Sequence, residues 1–129
     1  MPHLTLDYSA NLSGQLDFNE LCASLRDAMV ETGVFPLGGV RVRAIACEHY
    51  AIADGDPAYS YIHLTCRMGA GRDETTRKAA AEAIYAAAES FIKPKIMTPF
   101  ALSLELAELD PATSIKRCNT IHDHIKAKV

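Results

Sequence analysis

The stretches MPHLTLDYS (residues 1–9) and YIHLTCRMGAGR (residues 61–72) both contain His-Leu-Thr, at positions 3–5 and 63–65, with a proline ahead of the first copy only. Both alternate apolar and polar side chains, the period of a half-buried strand, and in the first Leu4, Leu6 and Tyr8 share one face. The segments behind the two copies are also alike. After the first, Asp17 stands three residues ahead of Glu20 in capping-box spacing, and Leu21, Leu25, Ala28 and Met29 fall on one helical face. Gly33 suits the left-handed position past a helix end, and Pro36 prevents continuation. Residues 40–47 (VRVRAIAC) return to alternation, with Arg41 and Arg43 opposite Val40 and Val42.

The second copy opens the same plan. Residues 61–68 read as a strand, Gly69, Ala70 and Gly71 as a turn, and Asp73 as the N-cap of an alanine-rich helix with Ile84, Ala87, Ala88 and Phe91 on its apolar face. Pro94 and Pro99 bracket a loop, and residues 100–106 (FALSLEL) alternate as a fourth strand. The pattern predicts a single α/β domain over residues 1–129. It contains two β-α-β units at about 2–50 and 60–110, joined through the turn-forming ADGDP (residues 53–57), and a tail at 111–129 with one more short helix. Right-handed crossovers between parallel strands put both helices on one face of a four-stranded, ferredoxin-like sheet. The other face is left uncovered. We expect it to be apolar and buried against further copies of the chain, giving a homo-oligomer.

Composition narrows the partners. The 129 residues are 49% hydrophobic and 22% charged with a net charge of −3, which offers no basic footprint for nucleic acid or an anionic membrane. No apolar run reaches the roughly 18 residues of a membrane span, and no basic n-region precedes an apolar one, so a cytoplasmic location is expected. Cys22, Cys47, Cys66 and Cys118 form no C-x-x-C pair and read as reduced thiols, with no metal site expected.

The proline carries chemistry. A small residue behind Met1 allows removal of the methionine, which would leave Pro2 as a secondary amine at the start of a strand. A free α-amino group titrates near about 7.7–8.0, and burial or a nearby guanidinium lowers that value, making a neutral general base at neutral pH. The matching position in the second unit is the internal Ile62, so only one unit can supply the base.

The strings PHLTLDYSANL, TGVFPLGGVRVRA, ADGDPAYSYIHL, RMGAGR, FALSLEL and NTIH, spread over nearly the whole chain, are similar to those of the tautomerase superfamily, and within it of the 5-carboxymethyl-2-hydroxymuconate isomerase family. The resemblance implies a trimer of duplicated β-α-β subunits. It also implies a cofactor-free keto–enol isomerisation of a polyanionic unsaturated acid in the bacterial degradation of aromatic acids such as homoprotocatechuate. Pro2 is then the base, Arg41 matches the arginine of FPLGG-x-R, and Arg72 that of GAGR, both binding substrate. Asp7 stands where many relatives have glutamate, a conservative departure.

The chemistry agrees with the carry-over. Moving one proton between oxygen and carbon needs one base that becomes the acid, with no metal or electron carrier. A guanidinium grips a carboxylate in two parallel hydrogen bonds and can stabilise enolate-like charge.

Duller readings stand beside these. Arg41 by itself is an ordinary strand-edge charge, Arg43 one alternation on has at most a secondary binding role, and Arg72 follows a lone G-x-G without dinucleotide spacing. His3 and His63 read as structural. His122 and His124, two apart, do not share a helical face, so they and Asp123 read as a solvated tail. Phe35, Leu37 and Tyr50 are the residues expected to shape the pocket. Two alternatives remain: a relative acting on another acidic enol or a decarboxylase, and a non-enzymatic module that binds a small ligand.

Overall fold

The computed structural model describes residues 1–128. Strand β1 (His3–Ser9) leads through a 3-10 turn at Ala10–Leu12 to helix α1 (Phe18–Glu31), and a second 3-10 turn at Leu37–Gly39 precedes β2 (Arg41–Cys47). The second unit is β3 (Ser60–Gly69), α2 (Glu74–Ile92) and β4 (Phe100–Leu109), followed by α3 (Thr120–Ala127). The sheet order is β2-β1-β3-β4, with β1 parallel to β2, β3 parallel to β4 and the two central strands antiparallel.

The caps form where the sequence places them. Asp17 accepts from the Glu20 N–H at 3.1 Å and Asp73 from the Thr76 N–H at 2.8 Å, satisfying donors that a helix start leaves open. Gly33 ends α1 with φ at 73°, where a Cβ would be strained. Leu21, Leu25 and Met29 of α1 are fully buried against Leu4, Leu6, Ile62 and Leu64 of the central strands. On α2 the buried stripe is Ala80, Ile84, Ala88 and Ile92, with the expected Ala87 and Phe91 only partly covered on its flank. Strands β3 and β4 each run further than the sequence pattern marks, β4 continuing to Leu109.

The repeated tripeptide has a structural reason. Thr5 of the first copy pairs directly with Thr65 of the second, so the twofold relating the two units passes between them. Outward from that pair, Leu6 faces Leu64 and Leu4 faces Cys66 on the covered side, while His3 faces Arg67 and Asp7 faces His63 on the other.

The centre of that other face is polar, and the expectation of an apolar face is corrected there. It presents His3, Thr5 and Asp7 of β1, Arg43 of β2, His63 and Arg67 of β3, and Ser103 and Glu105 of β4, while Ile45 of β2 and Ala101 and Ala107 of β4 add apolar surface on the outer strands. Alternation spends the leucines and isoleucines of the central strands on the helix side, and the residues between them are hydrophilic. Arg43 donates to His3 Nδ1 at 3.1 Å, and His63 meets Ser103 at 2.6 Å and Glu105 at 3.3 Å.

Leu64 lies fully buried at the centre of the sheet. Leu64→Ala should destabilise the fold by about 2–5 kcal/mol, read as a lowered denaturation midpoint at unchanged slope.

Candidate active site

The topology gathers one end of the sheet. Because β1 and β3 run in opposite directions, the starts of β1 and β2 lie beside the ends of β3 and β4. Met1 and Pro2, Arg41, the Gly-Ala-Gly-Arg turn and the C-terminal tail therefore meet there. A cavity of about 340 Å³ opens at this end, lined by Met1, Pro36 and Gly39 and, from the tail, by Lys116, Arg117, Asn119, His122 and Asp123.

Pro2 is buried at the floor of this region, and its carbonyl accepts from the Arg41 N–H at 3.1 Å, which ties the entry of β1 to that of β2. A Cβ on Gly39 would lie 3.2 Å from Pro2 Cδ, the carbon bonded to the proline nitrogen. Gly39, which lines the cavity, thus packs directly on the proline ring, an approach that the missing Cβ permits. Loss of Met1 would leave the proline nitrogen as the terminal amine.

The terminal amine of the chain with Met1 is held down from 8.0 to about 6. Burial is the first cause, then hydrogen bonding and repulsion from Lys116, then the charges of Arg72 and Arg41. Arg41 is half-buried, its Nη1 donating to the carbonyls of Gly38 at 2.9 Å and Val40 at 3.1 Å. Arg72 donates to Gly69 at 3.2 Å and Val34 at 2.8 Å, its guanidinium 5.7 Å from the centre of the Phe35 ring. Both side chains are fixed by backbone carbonyls and act on the amine by charge, although neither forms part of the cavity lining.

The other sequence candidates fall elsewhere. Arg43 stands on the uncovered sheet face against His3, outside the cavity. His3 Nδ1 accepts from Arg43, and burial, Arg43, the terminal amine, Arg41 and Arg67 lower its pKa. Phe35 is buried beside Arg72 and Leu37 is exposed on the 3-10 turn. Tyr50 lies past the far end of β2, in a second cavity with Glu48, His49 and Tyr59, so within one subunit it does not shape the pocket at Pro2.

The reading of a solvated tail holds for Asp123 and His124, which are exposed, and is corrected for His122, which is half-buried with its ring on Gly38. Asn119 caps α3 by accepting from the His122 N–H at 3.0 Å, and its Nδ2 donates to the Gly38 carbonyl at 3.1 Å. Asn119 and His122 carried no sequence signal beyond the NTIH string, and Lys116 carried none.

The duplicated β-α-β subunit with these features at one sheet end defines the class, a tautomerase-superfamily fold. The family model for 5-carboxymethyl-2-hydroxymuconate isomerase matches residues 2–125. The chain is 32% identical to the 5-carboxymethyl-2-hydroxymuconate Delta-isomerase of Escherichia coli over 123 residues, covering 95% of this chain and 97% of that one. Among solved structures it is similar to a 5-carboxymethyl-2-hydroxymuconate delta-isomerase, at TM-score 0.89 and 35% identity over 97% of this chain and 93% of that one. A 5-carboxymethyl-2-hydroxymuconate isomerase from Deinococcus radiodurans R1 matches at TM-score 0.88 and 33% identity, over 96% and 93%. The chain belongs to the 5-carboxymethyl-2-hydroxymuconate isomerase family.

A Cβ on Gly38 would lie 2.5 Å from His122 Nδ1 and 3.0 Å from its Cα, a backbone atom that cannot give way locally. Gly38→Ala should therefore unseat α3: its amides should exchange faster with solvent while those of β1 and β3 keep their rates. Unchanged exchange in α3 would show that this contact does not hold the helix.

Proposed function

We propose that the chain is a cofactor-independent isomerase that converts 5-carboxymethyl-2-hydroxymuconate to its 2-oxo isomer, with Pro2, freed of Met1, as the base. The gathering of buried Pro2, Arg41, Arg72 and the cationic tail at one end of the sheet is the observation that carries this reading; with Met1 in place, the terminal amine there is held down to about 6. The amine removes the enol hydroxyl proton, charge builds on the oxygen, and the same proton returns to a carbon of the conjugated system. One group thus serves as base and then as acid. Arg41, at the start of β2 beside Pro2, stabilises the developing oxyanion, and Arg72 holds a carboxylate. Arg43, engaged with His3 on the uncovered sheet face, has at most a secondary part. We further infer a homotrimer, the assembly described for a fused 4-OT protein that shares the fold at TM-score 0.64 and 14% identity.

The direct test is isomerisation of the hydroxymuconate, followed by loss of its ultraviolet absorbance, with protein whose intact mass lacks Met1. The kcat/KM profile should rise with pH and level off, its midpoint below the usual α-amino value of about 8. Pro2→Ala, on samples whose trimeric mass is verified by light scattering, should lower the rate by about two orders of magnitude or more, the usual reach of a positioned base. A full rate in that variant removes Pro2 from the mechanism.

The two arginines should separate binding from chemistry. Loss of a charge-assisted contact is worth about 1.5–3 kcal/mol, one to two decades in kcat/KM. Arg41→Ala should act chiefly on kcat, because it faces charge that exists only in the transition state. Arg72→Ala should chiefly raise KM, since it grips a carboxylate present throughout. Steady-state kinetics of both variants check the split, and wild-type constants in both would remove the anion site.

A further inference from the structure

We propose that the C-terminal segment completes the active site, with Lys116 binding a carboxylate of the substrate and Asn119 as the positioning residue that holds the segment over the cavity. The proposal rests on the isomerase reading and names the residue that selects for a polyanion.

Three observations support it. First, most of the cavity wall comes from the tail, and Lys116 lies on the same wall as the terminal amine. Second, the tail is not held as core. Helix α3 has no fully buried residue and its Ile121 is 52% exposed, so apolar burial explains little of its placement. What fixes it is directional: the Asn119 amide on the Gly38 carbonyl, 81 residues away in sequence, and the His122 ring on a glycine without a Cβ. The same Gly38 carbonyl accepts from Arg41 Nη1, so one oxygen ties the tail to the arginine assigned to the oxyanion.

Third, the charges around the amine are unbalanced. Lys116 reaches it from the tail, Arg41 from β2 and Arg72 from the turn before α2, with His3 of β1 behind. Arg117, His122 and Asp123 stand on the tail side of the cavity, Asp123 bringing its one carboxylate. Among the described residues Lys116 and Arg41 form no ion pair. Cations held together against the single carboxylate of Asp123 favour an anionic ligand, and three of them suit a dicarboxylic or tricarboxylic acid better than a monocarboxylic one.

The experiment compares Lys116→Met and Lys116→Arg with the parent enzyme on two substrates, the tricarboxylate hydroxymuconate and the enol of phenylpyruvate, which carries one carboxylate. Lys116→Met should raise KM for the tricarboxylate by about ten- to a hundredfold, the range of one charged contact, and that for the monocarboxylate far less. Lys116→Arg should restore most of the loss. A second readout needs no turnover: the Pro2 nitrogen, labelled with 15N and titrated by NMR, should protonate at higher pH in Lys116→Met and near the parent value in Lys116→Arg. Asn119→Ala should reproduce both effects at nearly unchanged Tm, because it frees the segment without opening the core. Parent-like KM and parent-like Pro2 titration in Lys116→Met overturn the proposal, as does a loss of equal size on both substrates. If the parent enzyme fails on the tricarboxylate, the isomerase reading falls, while the titration still decides whether Lys116 stands over the amine.

Discussion

The antiparallel pairing of β1 with β3 decides which strand ends meet, and the placement of every group at the site depends on it. Each β-α-β unit by itself brings only the starts, or only the ends, of two parallel strands to one side. Pairing the units head to tail sets the start of β1 and β2 beside the end of β3 and β4. A parallel centre would have carried Arg72 to the far end from Pro2. The register is held by burial, since Leu6 opposite Leu64 and Leu4 opposite Cys66 are all at full burial, and a slip of one residue would turn them to the polar face.

Duplication supplies the scaffold, and divergence at equivalent positions supplies the site. By the strand pairing, His3 stands beside Arg41 and Arg43 in the first unit, where His63 stands beside Ser103 and Glu105 in the second. The backbone is the same and the charge is reversed. Arg43 donates to His3, whereas Glu105 meets His63 as an ion-pair partner when the ring is protonated. Positive charge accordingly collects at the Pro2 end of a chain whose net charge is −3. Such a field attracts an anion over a range of about 10 Å at 0.1 M salt, so the local cluster and not the net charge governs what approaches.

The strands and caps were legible because they rest on local rules. The alternation of HLTLDY and FALSLEL, the Asp17 and Asp73 caps and Gly33 each need only a few neighbouring residues, and each forms as read. Pro2 became a candidate through its place behind Met1 at the start of a strand, and Arg41 and Arg72 through family strings; nothing in their periodicity marks them. The polarity of the uncovered face was also present in His3, Thr5 and Asp7, but it was masked by the expectation that a sheet face without helices must be apolar. Of the tail, only the presence of a short helix was legible, and its docking was not. Its attachment is one side-chain amide on one carbonyl far away in sequence, with a glycine beneath a histidine ring. A helix of eight residues with no buried position leaves no hydrophobic period from which docking could be inferred.

The same features that keep the amine neutral oppose folding. With Met1 in place, the terminal amine, depressed from 8.0 to about 6, binds fewer protons folded than unfolded between those values, so stability rises with pH across that window and is lost as pH falls through it. Burial of the terminus contributes to this at the entry to β1, which the sheet cannot give up. The repulsion from Lys116 comes instead from a segment that adds no fully buried residue to the core. Lifting that segment would relieve the crowding of charge while leaving the sheet intact, because local openings draw on the parts with fewest apolar contacts. A bound polyanion would remove the reason to lift. The energetic tension of the site is thus concentrated in the one element whose position substrate charge can favour.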